Sequence, residues 1–165
     1  MRYILPMRRN LLTPDSLAES SHASVAIEPE PRILLADDQR EVRQTVASLL
    51  QNDFQIVGMA DNGADMLELA AIRSADVLVL DIEMPVLNGI ETARRLRASD
   101  LPGKIVFLTV YDDADFVEAA MSVGALGYVV KTHLATDLIP AIWRVLEGQI
   151  YISPSITYPS PSKTS

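Results

Sequence analysis

Five polar residues stand where apolar runs stop. Ile33-Leu34-Leu35-Ala36 runs into Asp37-Asp38, Val77-Leu78-Val79-Leu80 into Asp81, Ile105-Val106-Phe107-Leu108 into Thr109, and Leu126-Gly127-Tyr128-Val129-Val130 into Lys131. Short apolar runs without polar alternation read as strands buried on both faces, the pattern of a parallel sheet. All carboxyl ends of such a sheet lie on one edge, where ligands bind, so the five residues converge. Three carboxylates brought together repel one another and need a cation. An oxygen-rich, cysteine-free, part-hydrated set suits Mg²⁺ better than a softer metal. Lys131 supplies a fixed positive charge and Thr109 a hydroxyl donor. Metal, ammonium and hydroxyl can hold the oxygens of a transferring phosphoryl group while a carboxylate attacks in line. Asp81, centrally placed, is the natural nucleophile, and the product would be an aspartyl phosphate. Each residue alone has an ordinary reading: Asp81 a strand-ending cap, Asp37 and Asp38 a helix N-cap pair, Lys131 a solvated lysine, Thr109 a capping hydroxyl. Their recurrence at the same end of four apolar runs is what points to chemistry.

The elements that must position these residues follow from periodicity. Val42, Val46, Leu49 and Leu50 recur at helical spacing after the first strand. Phe54–Gly58 reads as a second strand, and Asn62-Gly63 to Ile72 as a helix with Met66, Leu67 and Leu69–Ala71 inward. Met84-Pro85 and Asn88-Gly89 break the chain after Asp81, and Ile90–Ala98 is helical again. Another helix runs from about Ala114 to Ser122, and a last one ends near Glu147. Asp137 as N-cap of that last helix puts Pro140 at the third helical position, where its missing N–H costs nothing. Five strands alternating with five helices, joined by right-handed crossovers, give an α/β fold with helices on both faces of a parallel sheet.

Of 165 residues, 48% are hydrophobic and 22% charged, as in ordinary soluble domains, and there is no cysteine for a disulfide or thiolate site. The net charge of −8 lies within residues 32–153, where ten Lys and Arg face eighteen Asp and Glu. A negative body repels a phosphate backbone, so direct DNA binding by this chain is not expected. No apolar run approaches a membrane span, and the opening Met-Arg-Tyr-Ile-Leu-Pro-Met-Arg-Arg is too short for a signal peptide; the expected location is cytoplasmic. Residues 1–31 show no sustained period and read as a flexible extension in which His22 is solvated. The Pro-rich, polar residues 154–165 read as a disordered tail.

The strand-end set, with Met84-Pro85 and Asn88-Gly89 in the loop after Asp81, resembles the receiver domain of two-component response regulators over residues 32–153. Leu108–Asp113 and Leu146–Ser153 are most similar to the branch whose receivers precede a LuxR-type helix-turn-helix output domain, which is not expected within this chain. The resemblance implies a flavodoxin-like (βα)5 sheet of strand order 2-1-3-4-5. It also implies that Asp81 accepts phosphate from a sensor histidine kinase or small phosphodonor, that Asp38 and Asp81 bind Mg²⁺ with Asp37 helping through water, and that the backbone carbonyl of Glu83 is a further ligand. Thr109 and Lys131 would stabilise the phosphoryl group, and Thr109 with Tyr128 would form the switch pair, Tyr128 rotating inward on phosphorylation. The helix after strand four, strand five and the last helix would form an output face for a downstream protein or a second copy. Such a protein is a signalling receiver that catalyses only its own phosphorylation and dephosphorylation. Thr132 follows Lys131 where many receivers have proline, so a cis bond there would cost about 3 kcal/mol. Glu83 and Tyr111 flank the site, and negative charge at Glu83 is expected to slow an attacking water or donor.

Two other functions compete. An aspartyl-nucleophile, Mg²⁺-dependent phosphatase has two acids at the Asp81–Glu83 spacing, but on its first strand rather than its third. A pseudo-receiver scaffold would lack part of the acid, hydroxyl and lysine set, which is complete here. No glycine-rich phosphate loop follows the first strand, which disfavours a nucleotide- or flavin-binding relative.

Overall fold

The structure, a computed structural model, describes residues 28–158; His22, most of the expected leader and the end of the tail lie outside the described residues. The elements are β1 (Arg32–Ala36), α1 (Arg40–Leu50), β2 (Gln55–Ala60), α2 (Gly63–Ile72), β3 (Val77–Leu80), α3 (Gly89–Ala98), β4 (Lys104–Thr109), α4 (Ala114–Ser122), β5 (Gly127–Val130), a 3-10 turn (Lys131–His133), α5 (Leu134–Leu146) and β6 (Tyr151–Ile152). All strands are parallel, in the order β2-β1-β3-β4-β5-β6. This is the expected flavodoxin-like order, with one further short strand at the β5 edge.

Residue alternation along the strands divides the core in two. Ile33, Leu35, Val77, Val79, Val106, Leu108 and Val129 face α1 and α5, meeting Val46, Leu50, Leu138, Ile142 and Val145. Leu34, Leu78, Leu80, Phe107, Tyr128 and Val130 face α2, α3 and α4, meeting Met66, Ala70, Ala93, Leu96, Val117 and Ala120. Full burial of a Leu or Val side chain contributes about 1.5–3 kcal/mol. With helices on both sides, a strand has no need of a polar face, and Val77–Leu80 is buried throughout.

Three local expectations are corrected. Phe54 is not a strand residue; its ring packs against Trp143 at a centroid distance of 4.9 Å, and β2 starts one residue later and continues to Ala60. Asp137 is not the N-cap of α5, which starts at Leu134 and carries Pro140 in its interior. The Thr136 carbonyl therefore loses the amide N–H that any other residue at 140 would offer. Asp137 is instead buried: Oδ1 accepts from Thr136 Oγ1 at 3.0 Å and Oδ2 from Ser153 Oγ at 2.8 Å. Finally, residues 154–158, the described part of the expected disordered tail, fold back onto the domain. The Ile156 N–H donates to the Ser153 carbonyl at 3.0 Å, Ile156 is buried, and Tyr158 packs against the same cluster. The Lys131–Thr132 bond is trans, as are all peptide bonds among the described residues.

Candidate functional site

Strand register builds the site. Ala36 pairs with Leu80, so Asp37 and Asp81 leave the sheet side by side. Each is fixed by its own amide: Asp37 N–H donates to the Ala60 carbonyl at 3.1 Å and Asp81 N–H to the Ala36 carbonyl at 2.9 Å. On the other side Thr109 pairs with Val130, which puts Lys131 just beyond the sheet edge. Its ammonium reaches back to 2.8 Å from Asp37 Oδ2 and 3.0 Å from Asp81 Oδ2. Asp38 is exposed beside them.

The loop after β3 is clamped to keep Asp81 in place. Asn88 caps α3, its Oδ1 accepting from Glu91 N–H at 2.8 Å, while Gly89 N–H donates to the Ile82 carbonyl at 2.7 Å. A Cβ at position 89 would collide with the Asp81 carbonyl oxygen and stand 2.9 Å from the Ile82 Cα, so only glycine fits. Val86, in the same loop, is β-branched yet has φ of 70°, a strained conformation.

The electrostatics are unbalanced. Burial, and next the Asp37 carboxylate, push the Asp81 carboxyl up to about 6, against the pull of Lys131 and a bond from Glu83 N–H to Oδ1 at 3.3 Å. Burial opposes the charge on Lys131, but Asp37 and Asp81 outweigh it and hold the ammonium above its ordinary value. Oxygens of Asp37, Asp38 and Asp81 lie within 4.8 Å of one another. Buried Asp37 Oδ2 has Lys131 as counter-charge but accepts no aligned hydrogen bond. An anionic, all-oxygen set with a spare acceptor and one exposed member fits a hard divalent cation such as Mg²⁺.

Thr109 is buried at the end of β4, its Oγ1 accepting from Tyr111 N–H at 3.4 Å. Tyr128 already points inward: it is fully buried and donates its hydroxyl to the Tyr111 carbonyl at 2.7 Å. Burial, then the nearby Asp113 and Asp112, push its phenol far up. Glu83 is exposed, and its nearby carboxylate raises the Tyr111 phenol. The Tyr111 ring stacks on Phe116 at 4.1 Å. Thus the two residues that flank the site in sequence lie close enough to influence each other's charge.

Sequence reasoning missed three contributors. Gln39 donates its N–H to Asp37 Oδ1 at 2.8 Å and brings Oε1 to 3.4 Å from Lys131 Nζ. Arg43, four residues and about one helical turn further on, donates to the Asp37 carbonyl at 2.7 Å. Their position just after Asp37-Asp38, at the start of a helix, was a usable signal. Gly89 was read only as a chain break.

Residues 33–142 match the family model described as response regulator receiver domain. The chain is 37% identical over 127 residues to the response regulator GacA of Pseudomonas aeruginosa, covering 76% of this chain and 59% of that protein. It is 36% identical over 127 residues to the nitrate/nitrite response regulator protein NarL of Escherichia coli, with the same coverage. The chain therefore spans about three fifths of the length of these curated relatives. Among solved structures, a LuxR-family two-component response regulator from an Aurantimonas species is similar with a TM-score of 0.73 and 30% identity, over 77% of this chain and 92% of that one. The receiver domain of a response regulator NarL from Mycobacterium tuberculosis is similar with a TM-score of 0.70 and 29% identity, over 73% and 99%. The matched stretch takes in every strand end that builds the acidic cluster, and this chain belongs to the response regulator receiver domain family of two-component systems.

Proposed function

We propose that the chain is a phospho-accepting receiver in which Asp81 takes a phosphoryl group from a sensor histidine kinase or a small acyl phosphate. The observation that carries this is the placement of the Asp81 carboxylate, one oxygen against the Lys131 ammonium at 3.0 Å and neighbouring acids within cation-sharing distance. An Asp81 oxygen attacks phosphorus as the P–N bond of a phosphohistidine, or the P–O bond of an acyl phosphate, breaks; the leaving group departs with the bonding pair. Asp37, Asp38 and Asp81, with the Glu83 carbonyl, would hold Mg²⁺, which when bound neutralises charge on the phosphoryl oxygens. Lys131 turns its ammonium from Asp81 to one of those oxygens, and the Thr109 hydroxyl donates to another. Since Tyr128 is inward already, the expected movement belongs to Thr109 and to the Tyr111 backbone that its hydroxyl and Tyr128 share.

The consequence is a change in a protein-binding face, with a downstream protein or a second copy as partner. The body charge disfavours direct DNA contact by this chain, no helix among the described residues is long and apolar enough to cross a membrane, and the location expected is cytoplasmic. No separate substrate is turned over. Glu83 places negative charge beside the path of water, so Glu83→Asn should speed loss of the phosphoryl group; equal rates would remove that role.

The test is intact-protein mass after incubation with Mg²⁺ and acetyl phosphate. One phosphoryl adduct on the wild type and none on Asp81→Asn is the expected result. No adduct with any donor, a cognate kinase included, would instead support a pseudo-receiver scaffold.

A further inference from the structure

Beyond the phosphoryl site, the other buried carboxylate among the described residues is Asp137, and its partners form a clasp. Ser153 is fully buried and works in two directions: its Oγ donates to Asp137 Oδ2 at 2.8 Å and accepts from Val130 N–H at 3.1 Å. Its own N–H donates to the Tyr128 carbonyl at 2.8 Å, and Tyr151 N–H donates to the Leu126 carbonyl at 2.9 Å. These groups belong to the outer margin of β5, which β6 pairs in register Gly127 to Tyr151 and Tyr128 to Ile152. Beyond the clasp the chain turns, and Ile156 and Tyr158 join the hydrophobic cluster that contains Tyr128, Val130 and Val117 of α4.

We propose that Tyr151–Tyr158 is an intramolecular strap, closed by the Asp137–Ser153 clasp, that covers the β5 edge and holds Tyr128 inward. Three arguments converge. An edge strand offers unpaired backbone groups, and here the chain's own segment takes them. Ser153 is gripped at both ends of the span from Tyr128 to Val130, the residue before Lys131, so the strap and the site pull on the same three-residue stretch. Ile156 and Tyr158 lie over the cluster that holds the Tyr128 ring. Release of the strap would free the margin of β5 and loosen Tyr128, converting a closed face into one open to a partner. The occupant of this surface in the closed state is this chain itself.

Hydrogen exchange followed by NMR on the full chain, without Mg²⁺ or phosphodonor, tests the strap separately from the phosphoryl reading. Ser153→Ala removes the clasp and Ile156→Asp removes the packing without touching the clasp. Expected in both variants is exchange about tenfold or more faster at Val130, Tyr151 and Ser153, with Leu34 and Val79 unchanged. Tyr128 ring signals should shift from one buried environment to an averaged one. Unchanged exchange at β5 and β6 in both variants would overturn the proposal. So would acceleration spread evenly across β1 and β3, or a Tyr128 ring indifferent to release of the segment.

Discussion

Asp81 and Asp137 are both buried aspartates at a margin of the same sheet, and their surroundings differ in one respect. Asp137 is matched: two hydroxyls donate to its two oxygens, and Ser153 passes the chain of bonds on to the Val130 amide. Asp81 has a donor for each oxygen, Glu83 N–H and the Lys131 ammonium, but too little positive charge around it. It shares one ammonium with Asp37, lies near a third carboxylate, and its carboxyl is driven up to about 6. A buried carboxylate matched by hydroxyls fixes structure, whereas a pair of carboxylates sharing one ammonium, with the Asp37 Oδ2 acceptor spare, is short of positive charge. The difference supports a holding role for the first and the proposed chemical role for the second.

That contrast can be broken by mutation, and the largest effect should come from removing the support under Asp81. Gly89→Ala drives a Cβ into the Asp81 backbone, and a loss of about 3 kcal/mol or more in urea unfolding is expected, together with loss of phosphoryl uptake. Next, replacing each acid by its amide should act with opposite sign. Asp137→Asn sets an NH₂ against one of two hydroxyl donors and should lower stability by about 1–2 kcal/mol.

Asp81→Asn should raise stability in the absence of divalent cation. The Asp81 carboxyl titrates near 6 in the folded chain against an ordinary 3.8, so the folded state holds the proton more tightly. Wild type therefore loses stability as pH rises from about 4 to beyond 6, and the amide does not. Linkage sets a ceiling of roughly 3 kcal/mol, and with partial exposure to solvent about 1–2 kcal/mol is expected at pH 7. Urea unfolding of both proteins between pH 4 and 7.5 checks the sign: the gap should close at the acid end. The smallest effect belongs to the strained loop beside the site, where Val86→Asn should raise the thermal midpoint by relief of about 0.5–1 kcal/mol.

The same contrast explains what could be read from sequence. Apolar runs ending in Asp, Thr or Lys announce both a doubly covered sheet and its reactive edge, because burial on two faces excludes polar residues until the strand ends. Asp37, Asp38, Asp81 and Lys131 were therefore legible together. Asp137 was misread because a local capping rule compares a residue with its next few neighbours, while its partner Ser153 lies sixteen residues away. The strap was missed for a related reason. Ser-Pro-rich composition signals disorder, yet two side chains, Ile156 and Tyr158, find a cluster that the rest of the fold has made. Tyr128 was expected to rotate inward only on phosphorylation, and the backbone carbonyl two residues past Thr109 that already holds its hydroxyl cannot be foreseen from type or spacing.

The claim that the Asp37–Asp38–Asp81 cluster is unbalanced until it takes a cation is most directly tested by calorimetric titration of the full chain with Mg²⁺. The wild type should bind at one site, with affinity reduced about tenfold or more in both Asp38→Ala and Asp81→Asn and unchanged in Asp137→Asn. Equal binding by all four proteins would contradict it.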